Sequence, residues 1–178
     1  MTKTHNCYNV RTDPMKEREK ELYEILKNLN IPYIRHEHLP VFTVDQASKY
    51  WGTIQGTHCK NLFLRNKKGN YHYLVILEHS KEANLKALAK QLGEDRLSFA
   101  SAERLMCYLG LETGAVSPFG LINDSKKEVM VVMDQDLKNS KFINFHPNVN
   151  TSTVGIDFAD FEKFLAWSGN SVRFLHFS

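Results

Sequence analysis

The sequence predicts a single mixed α/β domain, and three observations carry this. Helical stripes and strand-like runs alternate along the chain. Two apolar runs are joined by a tight turn, which forces an antiparallel pairing into the sheet. The 178 residues are about the size of one domain, with no internal repeat or low-complexity linker to divide them. Residues 1–13 are polar and unpatterned and read as an extension of a domain spanning 14–178.

The elements follow in order. Asp13-Pro14 opens a helix with a good N-cap and a proline suited to the first turn. Leu22, Ile25, Leu26 and Leu29 give it one buried stripe, and Asn30 and Pro32 stop it. Tyr33 to His38 alternates like a strand, and Thr43-Val-Asp-Gln46 matches a capping box, predicting a short helix to about Trp51. Residues 61–66 and 71–77 form a hairpin around Lys67-Lys68-Gly69-Asn70. A second stripe, Leu85, Leu88, Ala89 and Leu92, closes at Gly93. Leu97-Ser-Phe99 reads as a short strand, and Ser101 caps a helix ending near Gly110. The stretch 110–120, with three glycines and a proline, is a structured loop. Strands are expected at Val129–Met133, Phe142–Phe145, Val154–Ile156 and Val172–Phe177. Between the last two, Asp157 caps a helix that stops at Gly169.

Composition excludes whole classes. Hydrophobic content of 42%, with 2 Trp, 7 Tyr and 11 Phe, supports a proper core and rules out wholesale disorder. A net charge of +3 rules out a histone-like polycation but permits a local basic patch. Cys7, Cys59 and Cys107 are scattered and odd in number, which fits a reduced cytoplasmic chain. The N-terminus lacks an apolar signal region, and no apolar run reaches the ~18–20 residues needed to span a membrane. No predicted helix has the basic face of a DNA reader.

Among chemistry-bearing residues, His36 and His38 share one strand face but have no third metal ligand at a recognisable spacing. His72 and His79 read as surface or hairpin-end residues. No GxSxG elbow, P-loop or GxGxxG is present. Cys59 precedes Lys60, yet strand neighbours point to opposite faces. Three features are left over: the Gly52–Lys60 loop, which aims a lysine at the start of the sheet; the Gly114–Pro118 loop; and His146 at a strand end. Each alone is more often scaffold than site.

Together, VFTVDQA (41–47), GTHCKNLFL (56–64), LGLETGAVSPFGL (109–121) and FHPNVNTSTVGI (145–156) closely resemble the YbaK/ProX-type aminoacyl-tRNA deacylases. This family includes the editing domain associated with prolyl-tRNA synthetase, and the branch most similar is the free-standing alanyl-tRNA(Pro) deacylase. The resemblance implies a largely antiparallel mixed sheet, curled and flanked by helices. It places the essential lysine on Lys60, the GxxxP loop on Gly114 and Pro118, and the histidine of the FHP segment on His146.

It further implies ester hydrolysis at the 3′ end of a mischarged tRNA(Pro), with no metal or cofactor and with prolyl-tRNA synthetase as a possible partner. Lys60, Gly114 and His146 are then the catalytic candidates. Phe42, Thr43, Val44, Ala115, Ser117 and Pro118 are expected to bind substrate, and Lys67 and Lys68 to contact tRNA. Related deacylases remove cysteine, serine or threonine. A rival class is a non-catalytic tRNA- or synthetase-binding module.

Overall fold

The structure, a computed structural model, describes residues 14–40, 52 and 54–177. The expected helix at 43–51 and the extension at 1–13 lie outside the described residues. Among the described residues the architecture is an eight-stranded mixed sheet with helices on both faces.

Helix α1 (Pro14–Asn28) leads into edge strand β1 (Tyr33–Glu37). Strands β2 (Thr57–Asn66) and β3 (His72–Glu78) form the hairpin, followed by α2 (Leu85–Leu92), β4 (Leu97–Phe99) and α3 (Ala102–Leu109). After a short 3₁₀ turn at Pro118–Asn123 come β5 (Val129–Asp134), β6 (Phe142–Phe145), β7 (Ser152–Asp157), α4 (Phe158–Ser168) and β8 (Val172–Leu175). The caps at Ser101 and Asp157 and the stops at Gly93, Gly110 and Gly169 are those the sequence signals, Asn84 is a cap it did not signal, and Asp13 lies outside the described residues. The Ser101 and Asp157 side chains accept from backbone N–H groups one turn in, and Gly93, Gly110 and Gly169 end their helices in the left-handed region.

The strand order is β1-β7-β6-β2-β3-β5-β8, with β4 also on β2. Pairings β1·β7, β6·β7, β2·β3 and β2·β4 are antiparallel; β2·β6, β3·β5 and β5·β8 are parallel. Strand β3 is central and buried on both faces, which explains its unbroken apolar run. Leu74 and Ile76 face one core with Leu22, Leu26, Leu109, Phe161 and Phe164 from α1, α3 and α4. Val75 and Leu77 face a second core with Leu88 and Ala89 of α2.

Strand β2 starts four residues earlier than the local pattern predicts. Thr57 and His58 pair in parallel with Ile143 and Asn144, a long-range bridge that no local pattern reveals. Lys60 therefore sits inside a strand, opposite Leu77, rather than at the end of a loop. Gly56 makes this join possible: its φ is +106°, and a Cβ would come within 2.8 Å of Phe142. The final strand is shorter than expected, ending at Leu175.

Candidate active site

One edge of β2 is shared between two partners. Residues 57–58 pair with β6 and residues 64–66 with β4, so Lys60 and Asn61 lie on the stretch between them. Side chains take over there. Asn61 Nδ2 donates to the Val116 carbonyl at 3.0 Å, tying the strand to the 114–118 loop. Ser117 Oγ then donates to the His146 carbonyl at 2.5 Å, tying that loop to the FHP turn. The three segments isolated by sequence are thus one hydrogen-bonded unit.

Within this unit Gly114 has a φ of +91°, a conformation that L side chains resist. Ala115 is buried, and its N–H bonds to the Glu112 carbonyl, closing the turn. Ser117 is fully buried and its hydroxyl is used twice, since it also accepts from Phe119 N. Pro118 is buried and opens the 3₁₀ turn. Ser117 and Pro118 hold the loop in shape. Phe42, Thr43 and Val44 lie outside the described residues.

His146 Nδ1 is 3.0 Å from the Ser152 carbonyl. A carbonyl only accepts, so Nδ1 carries the proton and Nε2 is left as an acceptor. Burial, with His38 nearby, pushes the pKa of His146 down, so the ring is neutral at physiological pH. The two imidazole rings lie 5.9 Å apart.

Three other sequence readings are decided by the geometry. Cys59 is no nucleophile: burial pushes its thiol pKa far up. His72 is not a surface residue but almost fully buried. It bonds to Arg104 Nη1 at 2.9 Å and packs on Tyr108 and Phe63, because the hairpin end is covered by α3. His79 packs edge-on against His58 rather than standing alone. Lys67 and Lys68 are exposed on the hairpin turn. They lie about 20 Å along β2 from Lys60, at ~3.3 Å per residue. Among the described residues, no group of three or more His, Cys, Asp or Glu is placed to hold a metal ion.

Sequence reasoning passed over Asn61. Its signal was a β-poor amide inside an apolar strand, next to the lysine. Its Oδ1 is buried without a partner, as are Asn144 Oδ1 and Asn148 Oδ1 in the neighbouring segments.

The aminoacyl-tRNA editing domain family matches residues 38–164, which contain this whole unit. The chain belongs to that family. It is 42% identical over 148 residues to the prolyl-tRNA editing protein ProX of Acetoanaerobium sticklandii, covering 83% of this chain and 90% of that one. It is 36% identical to prolyl-tRNA synthetase associated domain-containing protein 1 of Danio rerio, covering 82% and 80%. A solved structure described as that of a candidate trans-editing enzyme for prolyl tRNA synthetase superposes with a TM-score of 0.67. It has 18% identity and covers 93% of this chain and 98% of that one, a likeness of fold. The chain is accordingly an aminoacyl-tRNA deacylase of the editing type.

Proposed function

We propose that this deacylase acts in trans on alanyl-tRNA(Pro), hydrolysing the ester between alanine and the terminal adenosine. The observation that carries the site assignment is the chain of contacts from Asn61 to Val116 and from Ser117 to His146. It holds a left-handed glycine and a neutral histidine in one framework, anchored on β2 at the residue that follows Lys60.

The need for such an enzyme is physical. A proline-activating pocket has to admit the smaller alanine, because a missing methylene changes binding by only ~1–3 kcal/mol. A second site that accepts alanine and rejects proline completes the sieve. In this reading Lys60 engages the phosphate of the terminal nucleotide and holds the ester in place. The Gly114 N–H stabilises the developing oxyanion, a donor worth about 3–4 kcal/mol in related chemistry. Neutral His146 offers Nε2 to orient the attacking water. Prolyl-tRNA synthetase is the partner this reading implies, since its error product is the substrate, and the cytoplasm is the compartment.

The test is deacylation by the Lys60→Ala variant. Loss of alanyl-tRNA(Pro) hydrolysis with an unchanged melting transition supports the assignment. Undiminished turnover by that variant sinks it.

A further inference from the structure

Strand β1 lies at the end of the sheet order, with β7 on one side and, among the described residues, no strand on the other. The His38 N–H donates to the Thr151 carbonyl at 3.0 Å, so the even-numbered residues of this stretch turn their main-chain groups toward β7. Tyr33, Arg35 and Glu37 therefore turn theirs outward along the open edge. Tyr33, Ile34 and Leu39 are 37%, 55% and 72% exposed, which clusters three large apolar side chains within seven positions. An edge of this kind is a template for another strand.

A symmetry in the sequence selects that strand. The stretch Pro32-Tyr-Ile-Arg-His-Glu-His-Leu-Pro40 is balanced about His36. Proline stands at both ends, an exposed apolar residue lies inside each proline (Tyr33 and Leu39), and opposite charges flank the centre (Arg35 and Glu37). If two copies run antiparallel with His36 opposite His36, Arg35 of each faces Glu37 of the other, and Tyr33 faces Leu39. Arg35 and Glu37 both turn their main-chain groups outward, so these pairs also close with backbone hydrogen bonds.

Other registers fail. Centring on Arg35 sets two guanidiniums face to face, and centring on Glu37 sets two carboxylates face to face. A shift that pairs odd with even residues leaves outward groups without partners. Charges and prolines on an edge commonly keep other strands away; here they admit one register of one strand. The Arg35 side chain is already oriented by Glu19 at 2.7 Å and by Tyr23 at 2.9 Å. Its remaining contact is with its own Glu37, whose side chain is 76% exposed and is replaced by that of the other copy.

We propose that β1 is the interface of a two-fold dimer, in which the edge strands of two copies join their sheets in the His36-centred register. The proposal is independent of the deacylase reading.

The experiment follows the whole chain by analytical ultracentrifugation. Wild type is expected to sediment as a dimer as its concentration is raised into the high-micromolar range. Glu37→Lys sets a second cation against Arg35 in both pairs and weakens association at least ~10-fold. Register is read by cross-linking, in a background carrying Cys7→Ser and Cys107→Ser. There His36→Cys forms an intermolecular disulfide on mild oxidation, because opposed Cα atoms at such a position lie about 4.5 Å apart. Ile34→Cys, about 13 Å from its own counterpart, remains a single chain. Urea midpoints of all variants separate loss of fold from loss of association. A wild type that stays monomeric overturns the proposal, as does a dimer that withstands Glu37→Lys. Equal cross-linking of His36→Cys and Ile34→Cys overturns it too. Deacylation by a monomer would leave the functional reading intact, and an inactive dimer would leave the interface intact.

Discussion

The hairpin end of β2 and its middle solve the same problem in opposite ways. At the hairpin end, Asn66 satisfies its surroundings redundantly. Its Oδ1 accepts from the N–H groups of Gly69, Asn70 and Tyr71, while Nδ2 donates to Asn70 and Glu94. At mid-strand, Asn61 makes a single bond to Val116 and leaves its oxygen unpaired, with Asn144 and Asn148 in the same condition in the neighbouring segments. One asparagine finishes a turn, and the other leaves capacity for hydrogen bonding unused. A buried unpaired acceptor costs about 1–3 kcal/mol, so the unused capacity beside the 114–118 loop fits the proposed place for the substrate.

That difference is open to attack. The largest effect is expected at Gly114→Val, where a β-branched residue is forced to φ +91°. Deacylation should fall about 100-fold, the scale of losing one oxyanion donor, in single-turnover assays of wild type and variant. Next come the paired substitutions Asn61→Ala and Asn66→Ala. Asn66→Ala should lower unfolding free energy by roughly 1–3 kcal/mol and leave kcat near wild type, whereas Asn61→Ala should cut kcat about tenfold for a smaller stability loss. Urea unfolding and kinetics on the same preparations check both. Equal ratios of the two losses would erase the contrast.

A third prediction concerns pH at the structural end. Burial, with Arg104 and Arg65 adding to it, lowers the pKa of His72 from 6.5 to about 4. The unfolded chain therefore binds the proton first, and His72 contributes stability that is present above about pH 6.5 and lost as pH falls toward 4. His72→Gln should flatten the urea midpoint over that window relative to wild type. An unchanged slope would contradict the buried, neutral state. The smallest effect is expected at the turn itself. Lys67→Ala with Lys68→Ala should raise KM for alanyl-tRNA(Pro) about 2- to 5-fold and shallow its salt dependence, leaving kcat alone.

Most of the fold was legible because local signals and burial agree. The Leu22 and Leu88 stripes, the hairpin, and the Ser101 and Asp157 caps are written in side-chain spacing. What escaped was non-local. The start of β2 at Thr57 depends on β6, more than eighty residues away in sequence. The burial of His72 depends on α3 folding over the hairpin. The segments of the site were legible as a resemblance, but Asn61 was not, since its importance lies in which carbonyl it reaches.

The most direct test of the account is the rate at which wild-type protein deacylates alanyl-, cysteinyl- and prolyl-tRNA(Pro) under identical conditions. The sieve predicts rapid loss of alanine, slower loss of cysteine and no hydrolysis of prolyl-tRNA(Pro) above the uncatalysed rate. Hydrolysis of prolyl-tRNA(Pro) at the alanyl rate, or intact alanyl-tRNA(Pro) at the end of the reaction, would contradict it.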